Sequence, residues 1–246
     1  MKIAIHINPM YYTAGWLEYC KRNGIGVKPV NCYDSDIIRQ LDDCDALMWH
    51  HDHQNAMDTR FAKQLLMALE LAGKKVFPDL RTCWHFDDKL GQKYLFESIG
   101  APLIPSYAFF SRKDAMDWTR EASYPKVFKL RGGSGSEQVR LVRNRKDAAR
   151  LVNRAFGRGF SRYNAWGNLK ERWRKYRSGL TTFRDVIDGT ARLLIPTPYS
   201  VVQGKDRGYV YFQDFIPGNT IDIRIIYIFD RCYGFRRRVR PGDFRA

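Results

Sequence analysis

The alternation of short β-rich runs with helix-like segments in the first 77 residues constrains the fold of this chain most. Strand-like runs occupy residues 2–7, 27–30, 46–49 and 75–77, and helix-like segments occupy residues 12–22, 34–41 and 58–72 between them. Strands that alternate with helices are typical of βαβ units. This part of the sequence therefore predicts a small, mostly parallel sheet.

The loop after the third predicted strand holds three histidines within four residues. His50, His51 and His53 flank Asp52, at a position where α/β sheets present ligand-facing loops. A metal site, polar contacts to a substrate and a solvated loop are the alternatives, and no further metal-ligand motif accompanies the histidines. No Gly-x-Gly-x-x-Gly follows the first strand, so a dinucleotide fingerprint is absent and NAD binding is not expected.

Positive charge is confined to the second part of the chain. Residues 1–100 carry a net charge of −1, whereas residues 101–246 carry +17. Residues 140–184 alone hold 14 Lys and Arg residues against two acidic residues. A solvated helix face, a lid over a nucleotide polyphosphate and a nucleic-acid surface are the alternatives, and the helical spacing of Leu169, Trp173 and Tyr176 favours the first two.

Cysteine usage and hydropathy indicate the compartment. The five cysteines are widely spaced and form no Cys-x-x-Cys pair, which suits a reducing environment. No apolar run approaches the roughly 20 residues of a membrane helix, and the N-terminus lacks the apolar stretch of a signal peptide. We therefore expect a cytoplasmic protein without a membrane span.

A glycine-rich turn lies between two predicted strands at residues 125–142. Upstream of it, the pattern predicts a proline-framed strand at residues 102–107 and an amphipathic helix at residues 112–122. In the turn, the run Gly-Gly-Ser-Gly at 132–135 lets backbone N–H groups approach oxyanions without interference from Cβ atoms, and Lys129 on the preceding strand can neutralise phosphate charge. Taken alone, the turn is equally compatible with a phosphate contact and with a flexible hairpin.

Further motifs accompany the glycine-rich turn in a fixed order. They are a lysine-bearing helix at 87–100, the run Gln-Asp-Phe-Ile-Pro-Gly at 213–218, the segment Asp-Ile-Arg at 222–224, the pair Arg237-Arg238 and the run Gly-Asp-Phe-Arg at 242–245. Together they resemble the ATP-grasp superfamily, most closely its ribosomal-protein glutamate ligases and glutathione synthetases. The resemblance implies an α/β protein in which a Rossmann-like domain, residues 1–84, precedes a truncated α+β ATP-grasp domain, residues 85–246.

The resemblance also implies roles for individual positions. The positions expected to bind nucleotide are Lys89, Lys129, Gly132, Gly133, Ser134, Gly135, Gln213, Asp214, Phe215, Ile216 and Asp222. Asp214 stands where the family usually has a glutamate near the adenine amino group, and Asp222 matches an acid that binds ribose hydroxyls. The positions expected to act on the transferred phosphate and the carboxylate substrate are Arg224, Arg238 and Arg245, with Arg237 less closely matched. For each charged residue, a solvated side chain or an ordinary ion pair is the alternative.

Two departures from the family pattern matter. Residues 157–200 form a basic, Trp-containing stretch that is longer than the usual connection, so we interpret it as an insertion near the lid. Family members also continue beyond the last matched motif into an acidic residue and a Glu-x-Asn pair that bind magnesium, whereas this sequence stops at Ala246. We therefore expect no magnesium ligands within the 246 residues.

The resemblance implies an ATP-dependent carboxylate ligase. In such an enzyme ATP phosphorylates a carboxylate with the help of magnesium, and an amine or another nucleophile attacks the acyl phosphate. The expected partners are ATP, a carboxylate and a nucleophile of unspecified identity, and we expect these 246 residues to bind nucleotide weakly without ligation. The alternative is a non-catalytic protein that binds a polyanion, either RNA or an anionic polysaccharide, through the +17 part of the chain.

Overall fold

The computed structural model describes residues 1–8, 12–53, 55–132, 139–161, 165–179, 181–194, 202 and 204–239. The helices are α1 (Thr13–Arg22), α2 (Ile37–Gln40), α3 (Ala56–Leu71), α4 (Leu80–Cys83), α5 (Lys89–Ser98), α6 (Arg112–Glu121), α7 (Arg145–Phe156), α8 (Ala165–Arg177) and α9 (Phe183–Leu194). The strands are β1 (Lys2–His6), β2 (Gly26–Val30), β3 (Ala46–Met48), β4 (Lys75–Phe77), β5 (Ser106–Phe109), β6 (Lys126–Lys129), β7 (Val139–Val142), β8 (Phe160–Ser161), β9 (Lys205–Asp206), β10 (Val210–Asp214), β11 (Ile221–Ile228) and β12 (Arg231–Arg238).

The chain divides into two compact units. Unit 1 comprises Met1–Gln92 and Ala165–Gly204, and unit 2 comprises Lys93–Asn164 and Lys205–Ala246. Helices α8 and α9 lie in the basic stretch at 157–200. They belong to unit 1, whereas the segments of the sequence on either side, Lys93–Asn164 and Lys205–Ala246, belong to unit 2.

Unit 1 contains a parallel sheet. Among the described residues its strands follow the order β2-β1-β3-β4, and every neighbouring pair is parallel. The parallel sheet expected from the strand and helix alternation is thus confirmed. Helix α3 covers one face with Ala62, Leu66 and Leu69, which follow helical spacing and pack with Leu47 and Trp49 in one buried cluster. The side chain of the N-cap residue accepts a hydrogen bond from the Met57 N–H, which satisfies one free donor of the first turn.

Unit 2 is built on an antiparallel sheet. Among the described residues the strand order is β5-β10-β6-β7, with β10 between two sequence-distant neighbours. The strand predicted at residues 102–107 begins later, at Ser106. Pro102 and Pro105 lack the N–H group that a ladder needs, which explains why pairing starts only beyond them.

The two faces of this antiparallel sheet differ. One face carries Phe128, Phe212 and Val142, which pack with α6 and α7 in a buried apolar cluster. Side chains alternate along a strand, so the residues between these positions project to the other face. That second face carries Lys129, Gln213 and Tyr211, together with Val127.

Strands β11 and β12 form a separate antiparallel hairpin in unit 2. Their register pairs Asp222 with Arg237 and Arg224 with Phe235. The short strands β8 and β9 also pair with each other. Within the described part of the chain, no helix combines the length and the apolar character that crossing a membrane requires.

Candidate functional site

Strands β6 and β10 bring the first two predicted site residues into contact. The register places Tyr211 opposite Lys129 and Gln213 opposite Val127, so all four side chains share one face of the sheet. Lys129 Nζ donates a hydrogen bond of 2.6 Å to Gln213 Oε1. This bond to an uncharged amide orients the lysine ammonium.

A chain of hydrogen bonds fixes the Gln213 amide. Its Nε2 donates to Ser106 Oγ over 3.0 Å, and the Tyr211 hydroxyl donates to the same oxygen over 3.0 Å. The Ser106 hydroxyl in turn donates to the Ile104 carbonyl over 2.7 Å. A lysine can only donate, so the amide oxygen must face Lys129, and the amide has one orientation that satisfies both partners. We call this series, Ile104, Ser106, Tyr211, Gln213 and Lys129, the polar relay.

The polar relay is largely shielded from water. Gln213 is 8% exposed and Tyr211 is 3% exposed. Burial raises the pKa of the Tyr211 hydroxyl, so this group stays protonated and serves as a donor at neutral pH. A buried donor or acceptor that loses its hydrogen bond destabilises the fold. The side chains of the polar relay therefore keep their positions and hold the lysine in place.

Asp214 projects to the opposite face of the sheet. Its register partner is Lys126, and Lys126 Nζ donates a short hydrogen bond to Asp214 Oδ1. Lys126 is 5% exposed, and its ammonium also lies 5.0 Å from the centre of the Tyr107 ring. The side chain of Asp214 is therefore an ion-pair partner on the apolar face, and the structure does not bring it together with Lys129.

The start of the glycine-rich turn is anchored to Tyr209, the residue directly before β10. The backbone N–H of Arg131 donates to the Tyr209 hydroxyl over 2.6 Å, and that hydroxyl donates to Asp206 over 3.0 Å. Gly132 is buried beside this contact. Gly133, Ser134 and Gly135 lie outside the described residues.

The two other predicted residues of the β10 run follow the strand directly. Phe215 is partly buried and Ile216 is 52% exposed. The backbone N–H of Asp214 donates to the Pro105 carbonyl over 2.9 Å, which holds the end of β10 against the start of β5.

The hairpin of β11 and β12 groups a second set of predicted residues. Arg237 donates a short hydrogen bond to Asp222 Oδ2. The other carboxylate oxygen, Asp222 Oδ1, is buried and has no hydrogen-bond partner within the described chain. Arg224 lies 5.9 Å from the centre of the Phe235 ring, and Arg238 pairs with Ile221 in the register. Arg245 lies outside the described residues.

Lys89 is the first residue of α5. The helix start is capped by Asp88 Oδ1, which accepts from the N–H groups of Leu90 at 3.1 Å and Gly91 at 3.0 Å. Lys89 belongs to unit 1 and Lys129 to unit 2.

Several residues of the site were not predicted. Ser106, Tyr211 and Lys126 complete the hydrogen bonds around the predicted positions, and Tyr209 anchors the turn. The alternation along residues 210–214 could have separated Tyr211 and Gln213 from Phe212 and Asp214. Ser106 carries no such signal, because only the pairing of β5 with β10 brings it to Gln213.

The histidine loop of unit 1 is held by a buried carboxylate. Asp58 accepts hydrogen bonds from the Asp52 N–H at 2.7 Å, from Asn55 Nδ2 at 3.2 Å and from the Tyr33 hydroxyl. Burial lowers the pKa of His51 to about 4, so its imidazole is neutral near pH 7. Across the residues that the structure describes, no group of three or more His, Cys, Asp or Glu side chains could hold a metal ion.

Comparison with known proteins places the chain by its fold. No protein-family model matches the sequence, and no curated protein matches it. Among solved structures, a RimK domain protein ATP-grasp from Sphaerobacter thermophilus DSM 20745 aligns with a TM-score of 0.52 and 15% identity, over 92% of this chain and 69% of that chain. The D-alanine–D-alanine ligase from Bacillus anthracis aligns with a TM-score of 0.50 and 12% identity, over 98% of this chain and 72% of that chain.

Proposed function

We propose that this chain, which has the ATP-grasp fold, binds adenine nucleotide on the face of the unit 2 sheet that carries Lys129 and Gln213. We further propose, in contrast to the expectation from the sequence that these 246 residues bind nucleotide without ligation, that the chain uses ATP to activate a carboxylate for attack by an amine or another nucleophile. The fold similarity to the two solved structures supports the reaction class. The residues of the polar relay support the location.

The observation that carries the proposal is the contact between Lys129 and Gln213. The ammonium is held at 2.6 Å by an uncharged amide that is itself fixed by Ser106, at the end of the strand from which the glycine-rich turn departs. A cation positioned in this way before the ligand arrives binds phosphate oxygens without a large cost for reorganisation. This arrangement suits an ammonium that binds nucleotide phosphates.

The hairpin offers an acceptor that fits the sugar of a nucleotide. Asp222 Oδ1 has no hydrogen-bond partner in the described chain, and neither has the neighbouring Arg237 Nε, while the Asp222 side chain as a whole is 36% exposed. An acceptor in this position can receive a hydrogen bond from a ligand. A ribose hydroxyl would supply the donor. We assign Asp222 this role, and we keep Lys89 and the residues of the glycine-rich turn as proposed phosphate contacts.

No group of three or more His, Cys, Asp or Glu side chains within the described residues could hold a metal ion, and we derive no step through magnesium. ATP supplies the γ-phosphoryl group that converts a carboxylate into an acyl phosphate. In this chain, Lys129 would hold phosphate oxygens, and Arg224 and Arg238 would orient the anionic substrate.

Transfer of oxygen tests the carboxylate activation directly. When a carboxylate oxygen attacks the γ-phosphorus, that oxygen leaves with inorganic phosphate after the nucleophile displaces it. The protein is incubated with ATP, magnesium, ¹⁸O-labelled carboxylates of several amino acids and a panel of amines, and the released phosphate is analysed by mass spectrometry.

The proposal predicts phosphate that carries one ¹⁸O atom and appears only when both carboxylate and amine are present. A Lys129→Ala variant is expected to release far less labelled phosphate, while a Lys146→Ala variant, which removes an exposed lysine of α7, behaves as the parent. Bound nucleotide without any labelled phosphate across the panel would contradict the ligase assignment but leave nucleotide binding in place.

A further inference from the structure

A cavity of about 620 Å³ in unit 2 is lined mainly by arginines. Its lining residues are Arg140, Arg150, Leu151, Asn153, Arg154 and Arg158. They come from strand β7, from the last turns of helix α7 and from the segment that follows α7. We call this feature the arginine cavity.

The arginine cavity lies on the other face of the sheet from the polar relay. The register pairs Arg140 with Phe128, whose side chain projects to the apolar face beneath α7. Lys129 is the next residue along β6 and projects to the opposite face. A ligand of the arginine cavity would therefore occupy a place distinct from the proposed nucleotide site.

Two contacts hold the guanidinium of Arg154. The Arg154 guanidinium lies 4.6 Å from the centre of the buried Phe160 ring, and its Nε donates to the Gly159 carbonyl over 3.1 Å. Arg140 approaches the same ring at 5.9 Å. Contact with an aromatic ring positions the planar guanidinium group, whose N–H donors match the geometry of phosphate oxygens.

A further arginine contacts a residue that lines the arginine cavity. Arg112 of α6 donates two hydrogen bonds to Asn153 Oδ1, at 3.0 and 2.7 Å. These bonds hold the side-chain amide of Asn153, and the guanidinium of Arg112 places a further positive charge beside the cavity. Arginines from helices α6 and α7, from strand β7 and from the segment after α7 thus lie close together.

Among the described residues, positive charge in the arginine cavity exceeds the negative charge in contact with it. None of the six lining residues is acidic, and Asp147, which lies 3.2 Å from Arg150 on the exposed side of α7, is the carboxylate that contacts a lining arginine within the described chain. Burial lowers the pKa of Arg154, and the charges of Arg140 and Arg158 lower it further. The arginines therefore repel one another, and a bound anion would relieve that repulsion.

The helix end explains part of this pattern but not all of it. Cations near the C-terminus of a helix interact favourably with its dipole, which accounts for Arg154 in the last turn of α7. Arg112 hydrogen-bonds Asn153 near the end of α7 and shares this favourable interaction, whereas Arg140 lies on strand β7. The dipole does not by itself explain why a strand residue lines the same cavity.

We propose that the arginine cavity binds a small molecule that carries two or more phosphate groups. Its volume falls in the range of small-ligand sites, and its guanidinium groups come from several directions, as a branched or chained polyanion requires. Nucleic acid fits less well. None of the six lining residues is aromatic, and Phe160, which contacts Arg154, is 1% exposed, so neither offers a face on which a base could stack.

Tripolyphosphate is the probe, measured by isothermal titration calorimetry at constant ionic strength. An Arg140→Ala/Arg158→Ala double variant removes two exposed lining charges and is expected to lower the affinity at least about ten-fold. Arg145→Ala removes an exposed charge at the start of α7 outside the cavity, and Lys129→Ala removes the cation of the opposite face. Both should keep at least one tripolyphosphate site of unchanged affinity.

The outcomes separate the arginine cavity from the nucleotide site. Loss of tripolyphosphate binding in Lys129→Ala, with full binding in the double variant, would overturn the proposal and place all polyphosphate binding on the other face. Equal affinity in the parent and the double variant would also overturn it. A single-stranded RNA oligonucleotide that binds more tightly than tripolyphosphate, and loses affinity in the same double variant, would replace the small polyanion by nucleic acid.

Discussion

Lys126 and Lys129 lie three residues apart on β6, yet their ammonium groups bind partners on opposite faces of the sheet. Lys126 pairs with the Asp214 carboxylate on the apolar face, and Lys129 binds the Gln213 amide on the other face. Both partners belong to β10 and are adjacent in sequence. The first contact joins two opposite charges, whereas the second positions a charge, so we expect substitution of the two lysines to have different consequences.

Ser106→Ala should weaken both the fold and the lysine site. The substitution removes the oxygen that accepts from Gln213 and Tyr211, and two buried donors then lack their partner. We expect the free energy of unfolding to fall by about 1 to 3 kcal/mol, together with a several-fold loss of ATP affinity. Urea unfolding and calorimetry measure the two effects. Ser98→Ala, which changes an exposed serine of α5, is the control, and equal unfolding midpoints for the two variants would contradict the account.

Lys126→Met should affect stability and leave nucleotide binding intact. Methionine keeps the length of the side chain but leaves Asp214 without the ammonium that binds it. We expect a loss of about 1 to 3 kcal/mol in the free energy of unfolding. Asp214→Asn combined with Lys126→Met should cost less than the sum of the single substitutions, as a double-mutant cycle would show. A large fall in ATP affinity in the folded Lys126→Met protein would speak against the division of roles between the two faces.

The stability of unit 1 should depend on pH through His51. Burial lowers the pKa of this side chain from 6.5 to about 4, so the unfolded chain binds the proton more tightly than the folded chain does. The stabilisation is complete above pH 6.5 and is lost as the pH falls towards 4, at up to about 1.4 kcal/mol per pH unit.

His51→Gln removes this titration and isolates its contribution. Urea unfolding at several pH values between 7.5 and 4 should give a smaller slope for the variant than for the parent, whatever its stability at pH 7.5. Burial also lowers the pKa of His6 and raises that of Asp58, but both groups titrate in parent and variant alike. Identical slopes would show that His51 is protonated equally in the folded and unfolded chains.

Local patterns in the sequence predicted the parallel sheet of unit 1 and the lysine helix α5, because each depends on periodicity and end signals within one segment. The hairpin of β6 and β7 follows the same logic, since its two strands flank one turn. The roles of Lys129 and Gln213 came from the resemblance to a family, and those roles stay predictions until binding is measured.

The hydrogen bonds around Lys129 could not be predicted in the same way. Gln213 and Ser106 are 107 positions apart in the sequence, and Lys126 and Asp214 are 88 apart. A shift of one residue in the register of β10 would exchange the faces of Gln213 and Asp214. The face of each polar residue therefore depends on a pairing between distant strands, which propensity and spacing do not encode.

Calorimetric titration of ATP into the parent chain and its Lys129→Ala variant tests the central claim most directly. The account predicts measurable ATP binding to the parent and a ten- to hundred-fold weaker affinity for Lys129→Ala, about 1.5 to 3 kcal/mol, because the variant lacks one positioned cation. Lys146→Ala should bind ATP as the parent does. Equal ATP affinity in the parent and Lys129→Ala would contradict the assignment of this face of the sheet to nucleotide phosphates.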